Sequence, residues 1–203
     1  SPDGVDAIGT LERAIAAIGK YLTELLDGQP DQPLRLLPVY RDVVRARGGP
    51  AASEADLYFP NLALAPPPRD KPATRLPKGQ AEPHAKAQRA TYQRGFLKWL
   101  RTPMDLQAIG DMRMAVDAVE ELQTVPAQRA FWWAAGAFLD ALGSGDLTAD
   151  AGVRQVCTRI EQQIRRLGDG SPALADRSLR EVLYWIARIG PSPASPRESA
   201  AQQ

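Results

Sequence analysis

The chain has one histidine, His84, and one cysteine, Cys157, in 203 residues. That scarcity removes most enzyme chemistry at the outset. A single cysteine excludes an internal disulfide and fits a reducing compartment. One histidine and one cysteine leave a zinc site or a histidine-dependent triad almost nothing to build on, so no metal is expected. Neither a Walker loop nor a dinucleotide fingerprint is present, and no cofactor is expected. Charge of either sign is not in excess: 25 basic against 24 acidic residues leave +1. Such a balance gives no general attraction to a polyanion, which argues against nucleic acid as a partner. Nothing reads as a signal peptide, and no apolar run reaches the ~20 residues that a membrane span needs. We therefore expect a cytoplasmic protein without membrane insertion. The chain begins at Ser1 and not at methionine, which suggests an excised or processed piece. No stretch alternates with the two-residue period of a strand.

What is present is helical periodicity. Ile8, Leu11, Ile15, Ile18, Leu22 and Leu25 recur at intervals of three and four, an a/d seam too short for a free coiled coil and expected to pack within a bundle. Gly28 and Pro30 end it. A second helix is expected from about Asp31, with Pro38 either kinking it or splitting it. Ser53 to Leu62 is too short for an independent element and too apolar for a free loop, which suggests an extended strap. From Ala65 to Pro83 the chain is rich in proline and poor in large apolar side chains; such a segment cannot offset its ordering entropy and is expected as linker or disorder. Five further helices follow, near 85–101, 104–124 and 126–142, then one after Gly145 with Val153 to Leu167 along its inward side, and one near 175–189; the tail after Gly190 is expected to be disordered. Arg129–Leu142 carries only two charges and is the expected core helix. The fold class is thus all-α, a helical bundle of about seven helices in two parts joined by a Pro-rich linker and an extended strap. The expected domains are 1–64, a helical hairpin plus strap; 65–84, linker; 85–190, a five-helix bundle; and 191–203, tail.

Few residues are candidates for chemistry. His84 lies beside the Pro-rich stretch with Lys86 two residues on and alanine at 87. A phosphoaccepting histidine is expected in a setting such as His-x-x-Lys-Gly, on a rigid bundle, where a cation steadies the phosphoryl charge. His84 therefore reads as a linker histidine, with an active phosphotransfer role as the alternative. Cys157 falls on the inward stripe of its helix and reads as a small apolar filler. The acidic pairs Glu120–Glu121 and Asp146/Asp150 read as solvation and capping. Trp133 sits by Arg129 and Asp140 on the one polar side of the core helix, and Tyr184 sits with Arg177, Glu181 and Arg188. Each is either covered by a neighbouring helix or an anchor for a partner. Arg154, Arg159, Arg165 and Arg166 are read as an outward face, with Arg165 and Arg166 the candidates for partner contact.

Leu34-Arg-Leu-Leu-Pro-Val-Tyr-Arg-Asp-Val-Val-Arg-Ala-Arg-Gly48 and Ser53-Glu-Ala-Asp-Leu-Tyr-Phe-Pro-Asn-Leu62 resemble the amino-terminal, phosphotransfer-like region of the CheA-like histidine kinases of type IV pilus chemosensory systems. So do Phe96–Arg101, Ala130–Leu142, Arg159–Leu167 and Leu179–Ala187. The same region is similar to a related FimL-type scaffold that lacks a phosphoaccepting histidine. The resemblance covers most of the chain in order and rests on packing residues, not catalytic ones. It implies a non-catalytic helical scaffold or interaction module of a system controlling pili and twitching motility. The implied partners are other proteins of a chemosensory or pilus system, response regulators among them. The kinase's ATPase and receiver domains are not in this sequence, and its phosphoryl chemistry maps onto no residue here. An unrelated helical protein-binding domain is the remaining alternative; the sequence leaves the oligomeric state open.

Overall fold

The computed structural model describes residues 2–49, 51–62, 65–69, 72–171 and 176–189, and these are all-helical, with no strand among them. Seven α-helices follow in order: α1 (Pro2–Leu26), α2 (Leu37–Ala46), α3 (Ala81–Arg101), α4 (Leu106–Glu120), α5 (Pro126–Ser144), α6 (Ala151–Gly168) and α7 (Asp176–Ile189). Short 3₁₀ turns occupy Pro33–Leu36 and Glu54–Leu57. The expected tail after Gly190 lies outside the described residues. Contacts divide the chain into two units, Ser1–Phe59 and Pro60–Gln203.

In the first unit α1 packs on α2. Gly28, at φ 81°, closes α1: its amide donates to the Leu25 carbonyl, and the Gln29 amide to that of Glu24. Only glycine takes that backbone without strain. Pro38 splits the expected second helix. It falls in the first turn of α2, where a missing N–H costs nothing, and the residues before it form the 3₁₀ turn. The α1 seam is a correction. From Ala7 on, Thr10 and Ala14 are the buried residues of α1, whereas Ile8, Leu11, Ile15, Ile18 and Leu22 of the expected seam are 47–71% exposed and its last member, Leu25, is half-buried. One neighbouring helix covers one face, on which Thr10 and Ala14 are buried and Tyr21 and Leu25 half-buried.

The second unit is a closed ring of five helices. α3 packs on α4 and α6, α4 on α5, α5 on α7, and α7 back on α6. The starts of two helices are capped by carboxylates: Asp105 accepts from the Ala108 amide at 3.0 Å, and Asp150 from the Val153 amide at 2.9 Å. At the centre Phe131, Trp132, Phe138 and Leu139 of α5 are fully buried with Trp99 and Tyr92 of α3 and Met112 of α4. The expected inward stripe of α6 is present, with Val153, Val156, Cys157, Ile160 and Ile164 buried. Leu106, expected on the inward side of its helix, is instead exposed at its first position.

The described residues of the proline-rich stretch form no regular element before α3, as an extended linker would. The stretch is nonetheless not free chain: Arg69 donates to the Gln123 carbonyl at 2.9 Å and to that of Glu120, and the Thr74 amide donates to the Glu121 carbonyl at 3.0 Å. These acceptors lie at the end of α4 and in the turn beyond it, where a helix leaves carbonyls short of partners; the Glu120 carbonyl also accepts from the Gln123 amide at 3.0 Å. Arg129 of α5 returns a bond to the Pro67 carbonyl at 2.7 Å. Main-chain hydrogen bonding to helix ends replaces the apolar burial that the segment lacks.

Candidate functional site

The side chains that could carry chemistry are occupied by the fold. Cys157 is buried, and burial pushes its thiol up to about 12, so the nucleophilic thiolate is not formed near neutral pH. Its carbonyl accepts from the Tyr92 hydroxyl at 3.0 Å, in a setting whose burial also holds that phenol well above its ordinary value. His84 lies in the first turn of α3, and its Nε2 is buried without a hydrogen-bond partner. That burial closes Nε2, though not the half-buried residue as a whole, to an incoming phosphoryl group. Asp150, one of the carboxylates weighed for acid–base work, caps α6.

Other charges staple one helix to the next. Arg89 and Gln93 of α3 both donate to Glu161 Oε1 of α6, at 2.6 and 2.8 Å. Arg113 of α4 reaches Asp140 of α5 at 2.8 Å and also Asp117. Gly136 makes the room: a Cβ there would lie 2.8 Å from the Arg113 guanidinium carbon. Glu120, expected on a wet face, is largely buried. Burial raises its pKa, and Arg129, at 3.3 Å, opposes the rise. Arg159, expected to face outward, pairs with the buried Glu181 of α7. These groups position helices, and no cluster of three or more His, Cys, Asp or Glu among the described residues could hold a metal.

Both aromatic candidates are covered by the chain itself. Trp133 is 3% exposed and Tyr184 7%. α5 packs on both α4 and α7, and Trp133 is covered although Asp140, on the same polar side, stays exposed. Tyr184 stacks edge-on against Trp185, and the Arg188 guanidinium lies over its ring and donates to its hydroxyl at 3.0 Å. Arg165 and Arg166 do lie on the surface, near the end of α6, with Arg154 on the same outer side. Arg165 pairs weakly with Asp169 at 3.6 Å. Arg154 and Arg166 make no ion pair among the described residues.

An open cleft of about 600 Å³ lies where the proline-rich stretch meets the α4–α5 turn, lined by Pro66, Arg69, Pro72, Gln123, Pro126 and Arg129 among others. The two arginines in it are the residues that sequence reading missed as anchors. Each meets a partner more than fifty positions away, a relation no local pattern displays.

The buried charges of the second unit thus tie one helix to the next, while the arginines of the outer side of α6 stay on its surface. Residues 77–203 match the FimL scaffold protein second domain, and the chain belongs to that family. It is also 24% identical over 181 residues to scaffold protein FimL of Pseudomonas aeruginosa, covering 89% of this chain and 32% of the relative. The chain thus spans about a third of the length of the curated relative it matches. No solved structure matches. Of the two resemblances in the sequence, these matches support the scaffold.

Proposed function

We propose that the chain is a non-catalytic helical scaffold module of a pilus-linked chemosensory system, acting in the cytoplasm on the pathway that controls type IV pili and twitching motility. The observation that carries this reading is the family match, which spans α3 through α7, the whole closed ring. The chemistry is consistent with it, since the thiol and the imidazole Nε2 are both buried. The described helices also include none long and apolar enough to cross a membrane. Its partners are proteins, and the exposed arginines at the end of α6 are the surface we assign to them. Such a surface suits an acidic partner, response regulators of the system included.

Incubation with the active chemosensory kinase and labelled ATP tests the non-catalytic part. The chain remains unlabelled while a phosphotransfer domain in the same tube is labelled. Label that is lost in His84→Gln overturns the reading and restores the phosphotransfer alternative.

A further inference from the structure

We infer that the paired outer faces of α3 and α6 form one basic docking surface for an acidic protein. The balance of +1 over the whole chain conceals a division of charge inside the second unit. α3 carries five Lys and Arg residues against one Glu, and α6 four Arg residues against one Glu. On α4 the sign reverses, with three acidic residues and one Arg, and α5 has one of each. Pairing differs as well. The cations of α4 and α5 are matched, Arg113 with Asp117 and Asp140, and Arg129 with Glu120. On α3 and α6, Lys86, Arg94, Arg101, Arg154 and Arg166 are exposed and make no ion pair among the described residues.

The packing sets these residues on one track. α3 runs antiparallel to α6: Arg89 and Gln93 meet Glu161, the Tyr92 hydroxyl meets the Cys157 carbonyl, and a Cβ on Gly168 would lie 3.1 Å from Lys86 Cγ. Lys86 therefore joins Arg165 and Arg166 at one end of the pair, Arg101 and Arg154 stand at the other, and Arg94 lies between. From Lys86 to Arg101 the track is ~22 Å long at the helical rise per residue. Its acids are Glu82 and Asp169 at the Lys86 end, and Glu161, which Arg89 and Gln93 hold in the seam. Folding does not call for this arrangement. Crowded like charges repel, and Arg154 sits in the first turn of α6, where a cation opposes the helix dipole. An uncompensated basic face instead attracts and orients an acidic one. Other polyanions fit it less well. Single-stranded nucleic acid stacks on exposed aromatics, but those of α3 are buried or half-buried and α6 has none. A lipid surface takes up an apolar stripe beside the cations, and Leu97 is the one exposed large apolar side chain described on these two helices. The choice of a protein rests on the scaffold reading above, whose surface at the end of α6 is here extended across α3.

Fluorescence anisotropy of a labelled oligoglutamate peptide, roughly as long as the track when helical, titrated with the whole 203-residue chain tests the inference. The variants are Arg94→Glu/Arg154→Glu and Lys86→Glu, with Arg41→Glu as an exposed control on the first unit. The wild type should bind at low salt and release the peptide as salt rises. Both variants should bind more weakly, the double one by at least ~tenfold, with helical content and thermal midpoint unchanged, while Arg41→Glu binds as the wild type does. No binding by the wild type, or an equal loss in Arg41→Glu, overturns the inference. So does tighter binding of duplex DNA or of phosphatidylserine vesicles than of the peptide, or a thermal midpoint that falls in both variants, which would mean that the cations serve the fold. A chain that binds the peptide yet recovers no pilus component from cells keeps the inference and sinks the scaffold reading.

Discussion

Single glycines test the packing most sharply, because two opposing effects can be weighed at each. At Gly95 in α3 a Cβ would lie 2.6 Å from the Ala108 carbonyl oxygen, which is main chain of α4 and cannot swing aside. At Gly110 in α4 a Cβ meets nothing within 4 Å. Alanine gains up to about 1 kcal/mol over glycine inside a helix, and overpacking costs about 1–3 kcal/mol. Gly95→Ala should therefore lower the thermal midpoint, and Gly110→Ala should raise it slightly, as calorimetry would show. Equal shifts of one sign would mean that α3 and α4 do not cross at Gly95. Cys157 provides a second test at this scale. Its thiol should resist alkylation at pH 8 in the folded chain and react in full in denaturant; prompt reaction without denaturant would place it at the surface.

At the scale of elements, the proline-rich stretch is held by few groups, and Arg69 makes two of its bonds to the end of α4. Arg69→Ala should speed hydrogen exchange and proteolysis across residues 65–74 while leaving α3 through α7 protected. Unchanged exchange there would show that the segment is anchored by other means. This element also marks where sequence legibility ends. Helices whose apolar face meets several neighbours could be read directly, as with Val153, Val156, Ile160 and Ile164 of α6. Asp150 and Pro38 showed their roles because capping and proline sterics act within a few residues. The Arg69 anchor could not be read, since composition reports burial but not a guanidinium finding a helix end. The α1 seam was legible as a pattern and misleading as a location, because period alone does not say whether the partner of an apolar face belongs to the same unit. Trp133 illustrates the converse. Its polar neighbours on the wheel suggested an outward position, but Arg129 and Asp140 are themselves engaged, by Glu120 and Arg113, and the tryptophan beneath them is closed off.

For the whole molecule, buried neutral groups set a pH dependence. The Cys157 thiol is raised from an ordinary value of 9.0 to about 12, and the Tyr92 phenol is also raised by burial. A group whose folded pKa lies above its unfolded value contributes stability that is complete below the unfolded pKa and is lost as pH rises toward the folded one. Denaturant midpoints should therefore be insensitive to these two groups up to about pH 9 and fall above it. Cys157→Ala should flatten part of that fall; a midpoint unchanged up to pH 11 would show that neither group is buried in its neutral form.

Membership of the FimL scaffold second-domain family directs attention to the surface of the five-helix ring. Co-purification from cells reads the surface directly. Tagged chain, recovered and analysed by mass spectrometry, should bring down named chemosensory or pilus components, and the Arg165→Glu/Arg166→Glu variant should bring down less of them with its fold intact. Recovery of no pilus or chemosensory protein would contradict the scaffold reading.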